Sequence, residues 1–444
     1  MSAHASERNH YVDLLRVFSI AMVVLGHWLI TSLVYRDGGF SAANILGQDR
    51  WTQWVTVLFQ VIPLFFLAGG YSAAASWSGH LADGGRATAW LRGRAQRLLL
   101  PTALYTAVAS LVVVAARALG ADPALLDLAG WAVALQLWFL PVYLGLLLLT
   151  PTLHAAHRRW GLAVPAGMSA LGIAVDVTVV DSHAAPLGWL NYLLVWGVLY
   201  QLGFSWEDGR LRRHRPLLPA LALAGAACYA LLVTVGPFPV SLIGVSSSRI
   251  DNTSPPSVAL LAFALAQCAV FVSLEPLVSR LLLDARELRT VQAVGRANAL
   301  VMIVYLWHMV PVVIVGAALY PTRVLPTAQP VDGEWWLLRI PWIVALALVL
   351  APLTLAAAAV TRLLLALPAP VRGCLPLLLT GVLLAGYALY RFAVKGFAPA
   401  GHLPLPTLGC FAAGTALVLL GRRLRVTAPA RTPHPPSPRR LPLR

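Results

Sequence analysis

Tyr11-Val-Asp13-Leu-Leu-Arg16-Val-Phe-Ser-Ile-Ala-Met-Val-Val-Leu-Gly-His27 opens the first long apolar stretch of the chain. At 3.6 residues per turn and 1.5 Å per residue, Arg16 and His27 share one helical face about 16 Å apart along the axis. An ionisable pair inside an apolar run is a functional hypothesis by default, because a charge in hydrocarbon is expensive. An arginine cannot shed its proton there and needs an anionic partner or water. Asp13, three residues earlier, offers such a partner within the helix; a phosphate or carboxylate held in the planar guanidinium fork is the other reading. His27 falls near mid-bilayer, where the neutral imidazole that a general base needs is favoured. A histidine bonded to a backbone carbonyl in a packed bundle is the structural alternative.

The apolar texture continues through the 444 residues, of which 59% are hydrophobic and 11% charged. Soluble domains hold roughly 45–50% and 25%, so the composition excludes a soluble protein and predicts an all-α, polytopic transmembrane bundle. The polar opening from Met1 to His10 lacks an apolar core ahead of a cleavage site, and the first segment reads as a retained helix. A helix spans the hydrocarbon with about 20 apolar residues. Twelve segments qualify: 12–34, 54–77, 98–118, 128–150, 162–180, 187–204, 216–235, 258–282, 300–319, 335–360, 375–392 and 405–420.

The net charge of +16 does not point to nucleic acid, because nearly all of the basic residues are arginines grouped between apolar runs. Topology explains them. With the N-terminus inside, 24 arginines fall on one side and eight basic residues on the other. This bias puts both termini in the cytoplasm of a multi-pass protein of the plasma membrane. Cys228, Cys268, Cys374 and Cys410 have no paired spacing; they read as packing residues, with no metal site. The other ionisable groups at membrane depth are few: His308, Glu275 nearer the cytoplasmic edge and Asp176 nearer the outer one.

Four further stretches carry chemistry or close packing. Arg92-Gly-Arg94-Ala-Gln-Arg97, before Leu-Leu-Leu-Pro101, places Arg94 and Arg97 on one side of a helix, suited to a phosphorylated ligand; positive-inside topology alone also puts arginines there. Pro63-Leu-Phe-Phe-Leu-Ala-Gly69-Gly70-Tyr71-Ser72 lets a helix or a ligand approach closely at its glycines. Gln136-Leu-Trp138-Phe139-Leu-Pro141 and Tyr305-Leu-Trp307-His308 complete the set.

Taken in order, these stretches resemble the acyltransferase-3 family of membrane-bound acyltransferases. The resemblance rests on Tyr-x-Asp-Leu-Leu-Arg16-x10-His27, Phe-Phe-Leu-x-Gly-Gly, Arg94-x-x-Arg97 before Leu-x-x-Pro101, Leu-Trp-Phe-Leu and Tyr-Leu-Trp-His, and it runs over about residues 8 to 320. Gly295-Arg-Ala-Asn298 stands where such proteins often carry a Gly-x-x-Ser-Tyr run. The resemblance implies a ten-helix core over 1–365. Two additional helices over 366–421 and a disordered, basic cytoplasmic tail over 422–444, too poor in large apolar residues to fold, then complete the chain.

What the resemblance implies is transfer of an acyl group, often acetyl, from a cytoplasmic acyl-CoA to a hydroxyl of a glycan, lipid-linked sugar or secondary metabolite. The acyl-CoA is a co-substrate and no bound cofactor is expected. His27 and Arg16 match the family's essential histidine and arginine, and Arg94 and Arg97 its donor-binding pair; Asp13 and His308 are supporting candidates. The guanidinium groups would hold the phosphates while the pantetheine arm threads between helices to His27, which acts as general base or as an acyl-carrying nucleophile. A transporter or flippase of similar size is the main rival, although the chain lacks a matched pair of broken segments in its two halves. A membrane scaffold would leave Arg16 and His27 without a purpose.

Overall fold

A computed structural model describes residues 9–36, 39–43, 45–48, 50–182, 185–244, 250–284, 288–322, 324, 332–366 and 375–420. The first helix, α1 (His10–Ile30), starts where the Asn9 side chain accepts the Tyr11 and Val12 N–H groups at 3.0 and 3.3 Å. Such a cap satisfies amides that the first turn leaves unpaired. It stops at Thr31, whose N–H and hydroxyl both return to the His27 carbonyl. A short hairpin follows, β1 (Leu33–Arg36) and β2 (Gly39–Ala42), the only sheet among the described residues.

Helices then succeed one another as α2 (Thr52–Phe59), α3 (Ile62–Ala82), α4 (Ala87–Ala118), α5 (Pro123–Ala132), α6 (Phe139–Trp160), α7 (Ala163–Ser182), α8 (Asn191–Glu207), α9 (Leu218–Thr234) and α10 (Val258–Asp284). Next come α11 (Leu288–Trp307), α12 (Val310–Leu319), α13 (Gly333–Ala366), α14 (Leu375–Lys395) and α15 (Leu405–Leu419), and a 3-10 turn over Leu135–Trp138 leads into α6. Each of the twelve expected segments is helical over most of its length, although the first, expected to run to Val34, stops at Ile30, and its last two residues lie in β1. Among the described residues, however, eight spans are long and apolar enough to cross a membrane unaided, or nine if α11 and α12, bent by 54°, count as one. The shortfall lies in α8 and α15, of 17 and 15 residues, and in α7, whose apolar part runs only over Ala163–Val179. Leu223, Leu337 and Leu348 are each more than 70% exposed, an outer surface suited to lipid. The protein is a multi-pass membrane bundle.

The centre of the bundle is α3, whose residues from Pro63 to Gly70 are all buried. A helix apolar on every side belongs inside. It crosses α8 at two reciprocal glycines. A Cβ on Gly70 would strike the Tyr200 carbonyl, and one on Gly203 the Leu67 carbonyl and the Tyr71 amide. Close helix packing is therefore what the glycine pair does, as small residues do in membrane interfaces.

Glu275 on α10 ties the N-terminal end of α1 to the loop after α8. It accepts from Arg212 at 2.8 and 3.1 Å, Arg215 at 3.2 Å, Trp206 Nε1 at 3.0 Å and Asn9 Nδ2 at 3.3 Å. A carboxylate satisfied this fully is structural. Asp176 likewise accepts the Val258 N–H at 2.7 Å, at the start of α10. Cys268 is buried, Cys410 half-buried and Cys228 exposed, and all three are free thiols. Cys374 and the proposed tail over 422–444 lie outside the described residues.

Candidate active site

The break between α11 and α12 falls at His308 and Met309, level with His27. Pro311 lacks an N–H and cannot continue the ladder of α11. Freed carbonyls at membrane depth must find other donors. The Trp28 indole donates to the His308 carbonyl at 2.7 Å, and Gln136 Nε2 donates to the Leu306 carbonyl at 3.1 Å. The Tyr305 hydroxyl returns the link by donating to the Gln136 carbonyl. The expected ninth segment is thus two helices, and the irregularity is where an imidazole pair sits.

His27 Nδ1 lies 2.7 Å from His308 Nε2, with the rings 14° from coplanar. The tautomers follow from the partners. His308 Nδ1 is 2.7 Å from the Tyr305 carbonyl, which only accepts, so this nitrogen carries the proton. In a neutral ring the Nε2 of His308 is then the acceptor, and His27 donates to it from Nδ1. His27 is left with a lone pair on Nε2 and no protein partner for it among the described residues. A histidine held by its other nitrogen in this way is oriented and poised to take a proton.

His27 also lines a cavity of about 580 Å³ that extends toward the C-terminal ends of α1 and α4. Neither Arg16, Arg94 nor Arg97 lines it. The second half of α4, and not its start, forms the wall of this cavity. Between the arginines and the histidines stands a set of aromatic rings. The Arg16 guanidinium lies 5.7 Å from the Phe65 ring centroid. Phe65 meets Phe139 at 5.2 Å, Phe139 meets Tyr305 at 5.5 Å, and Tyr305 meets His308 at 6.1 Å. The motifs of α1, α3, α6 and α11 therefore converge on one wall, with a cation at one end and two imidazoles at the other.

At the cation end, Arg94 lies within electrostatic reach of Arg16, Arg97 and the Tyr143 and Tyr200 hydroxyls. It donates to the Ser72 carbonyl at 3.4 Å and stacks 5.5 Å from the Trp90 ring. Arg97 is exposed. Ion pairs among the described residues run through Asp208 and Glu275 and involve none of these three arginines. Asp13 instead accepts from Asn298 Nδ2 at 2.6 Å, so the residue that departs from the family pattern fastens α11 to α1. The buried Arg16 Nε lacks a hydrogen-bond partner among the described residues. A guanidinium without a carboxylate partner is free to take the oxygens of an anion in its planar fork.

The family model described as an acyltransferase domain matches residues 9–362. The chain belongs to the acyltransferase-3 family. No curated protein and no solved structure matches it. The domain takes in every residue of the histidine pair, the aromatic wall and the arginine group, and it ends within α13, leaving α14 and α15 outside.

Several members of this acyltransferase's site escaped sequence reasoning. Gln136 was visible within its motif, but its bond to a broken helix 170 residues away was not. Trp28 follows His27 directly, and nothing local marks its indole as the partner of the His308 carbonyl. Pro311 was the available signal: a proline three residues after His308 forecasts a break at the histidine.

Proposed function

We propose that this acyltransferase moves an acyl group, acetyl in the simplest case, from a cytoplasmic acyl-CoA to a hydroxyl of a glycan, lipid-linked sugar or secondary metabolite. It would work in the plasma membrane with both termini cytoplasmic, the side that the arginine bias favours. Arg94, Arg97 and Arg16 bind the phosphates of the donor, and the pantetheine arm lies along the aromatic wall with the thioester at His27. The observation that carries this reading is His27, which lines a cavity and whose Nε2 has no partner among the described residues.

The acceptor O–H gives its proton to His27 Nε2 while its oxygen attacks the thioester carbonyl. A C–O bond forms, the C–S bond breaks, and the departing thiolate takes the proton back from the imidazolium. His308 Nε2, accepting from His27 Nδ1–H, binds the cationic ring more strongly than the neutral one, as charge-assisted bonds are stronger. Asp13 holds α1 in register with α11 through Asn298. The small inventory of buried ionisable groups, with Glu275 and Asp176 consumed in structural bonds, gives a transporter little to work with.

The test is incubation of the purified protein in lipid with radiolabelled acetyl-CoA and a panel of glycan, lipid and polyketide hydroxyls. Label is expected on an acceptor, with release of free CoA. Label remaining on CoA with every acceptor class, in a correctly inserted protein, would overturn the reading.

A second test addresses the histidine pair. His308→Phe removes the acceptor of the His27 proton and is expected to lower kcat by about ten- to a hundredfold, the worth of a hydrogen bond to a charged group. The donor KM should hardly move, and His308→Gln, which keeps an accepting oxygen, should recover part of the loss. Full kcat in an inserted His308→Phe protein would remove His308 from the mechanism.

A further inference from the structure

Beyond His27 the cavity is almost wholly apolar, and its volume of about 580 Å³ suits a ligand of substantial size. Side chains of α4, α5 and α12 build its walls. Polar side-chain groups are confined to six residues of the lining: His27, Thr31, Ser32, Tyr105 and the indole N–H groups of Trp131 and Trp307. Two of these are already engaged, the Thr31 hydroxyl with the His27 carbonyl at 2.6 Å and the Tyr105 hydroxyl with the Val133 carbonyl at 2.5 Å. What remains for a ligand is His27 Nε2, Ser32 Oγ and the indole N–H groups of Trp131 and Trp307, none of which has a hydrogen-bond partner among the described residues. Ser32 is 3% exposed and its hydroxyl has no hydrogen-bond partner among the described residues. A buried polar atom left unpaired carries a desolvation cost that a ligand's polar group placed beside it would offset.

The cavity also has exposed lining on the outside of the bundle. Val112 on α4 and Ile314 on α12 are 59% and 43% exposed. Both are apolar, as a mouth facing acyl chains requires.

From these observations we infer that the acceptor is an amphiphile: its apolar body occupies the cavity, entered sideways from the bilayer between α4 and α12, with one hydroxyl at His27 and a neighbouring polar atom at Ser32. This rests on the proposed function and narrows it to a lipid alcohol or an apolar secondary metabolite. A sugar ring seated here would exchange water for apolar walls and incur a desolvation cost for each hydroxyl left unpaired. A buried chain instead contributes about 25 cal/mol for each Å² of apolar surface removed from water. The occupant is the acceptor and not the acyl chain of the donor. The arginines lie across the aromatic wall from the cavity, and a reactant dissolved in the bilayer is the one that needs a lateral mouth.

The experiment uses the full-length protein in lipid with two series of substrates. Primary alcohols from ethanol to hexadecanol are offered with acetyl-CoA, and thioesters from acetyl- to palmitoyl-CoA with one alcohol. The ratio of kcat/KM for long over short alcohols is expected to exceed about tenfold, and filling the cavity by Ala109→Phe, or nearer the mouth by Ala116→Phe, should bring that ratio down by a similar factor. The donor series should keep its pattern in both variants. A flat alcohol series, or variants that alter the donor series instead, would overturn the inference. A diazirine-bearing hexadecanol gives a readout that does not depend on turnover: it should label α4 and α12 at the cavity, and less so after Ala109→Phe. Active transfer without that label sinks the cavity assignment alone, whereas label without transfer to any alcohol sinks the acyl-transfer reading.

Discussion

Replacing His27 by alanine is expected to lower acyl transfer by about 10²–10⁴-fold, the usual contribution of a positioned general base, while leaving the protein inserted. The helix end at this point hangs on the His27 carbonyl, which takes the Thr31 N–H and hydroxyl, and alanine keeps that carbonyl. What is lost is the ring, and with it the donor to His308 Nε2. His308 would keep its own bond to Tyr305 and its carbonyl bond to Trp28, so the break between α11 and α12 retains its supports. Protease accessibility in vesicles reports insertion, and transfer of label from acetyl-CoA reports chemistry. A well-inserted His27→Ala protein with wild-type turnover would mean that the lone pair on Nε2 does no catalytic work. His27→Gln sharpens the test, because it can donate to His308 yet offers no basic nitrogen; it should be nearly as inactive as alanine.

The parts of this architecture that the sequence made legible are those set by local chemistry. Apolar length fixed the helices, and every expected segment is helical over most of its length, because a chain in hydrocarbon must satisfy its backbone within itself. Spacing also placed Arg16 and His27 on one face. Crossing power was less legible: α8 is apolar because the bundle buries it, with Trp196, Tyr200 and Trp206 fully enclosed, and composition does not distinguish burial in protein from burial in lipid. The site was legible as motifs and illegible as an assembly. Phe65, Phe139 and Tyr305 stand in separate stretches, and their edge-to-face contacts join α3, α6 and α11 in tertiary structure. Asp13 was open to two readings, and its bond to Asn298 on a distant helix could not be foreseen. Ser32 gave no signal at all, since a single serine after a helix is common and its lack of a partner is a property of the folded cavity.

Arg94→Ala combined with Arg97→Ala is expected to raise the apparent KM for acyl-CoA by about a hundredfold, with a much smaller effect on turnover at saturating donor. Charge-assisted hydrogen bonds are worth roughly 1.5–3 kcal/mol each, and each 1.4 kcal/mol is tenfold; partial exposure of this pair lowers the sum toward two such factors. The direction follows from electrostatics. Arg97 and Arg16 each lie within repulsive reach of Arg94, and the three lack an ion pair with a described carboxylate, so a polyanion relieves a repulsion as well as gaining contacts. Added salt should weaken donor binding in the wild type through screening and should have little left to weaken in the double variant. Lysines at the two positions would keep the charge but lose the bidentate fork, and an intermediate KM is expected. Arg16 is deeper, against Phe65, and its removal should lower kcat as well as raise KM because it borders the wall along which the thioester must lie. If the double variant shows an unchanged donor KM, the pair serves topology only, and the phosphates must be held by other residues.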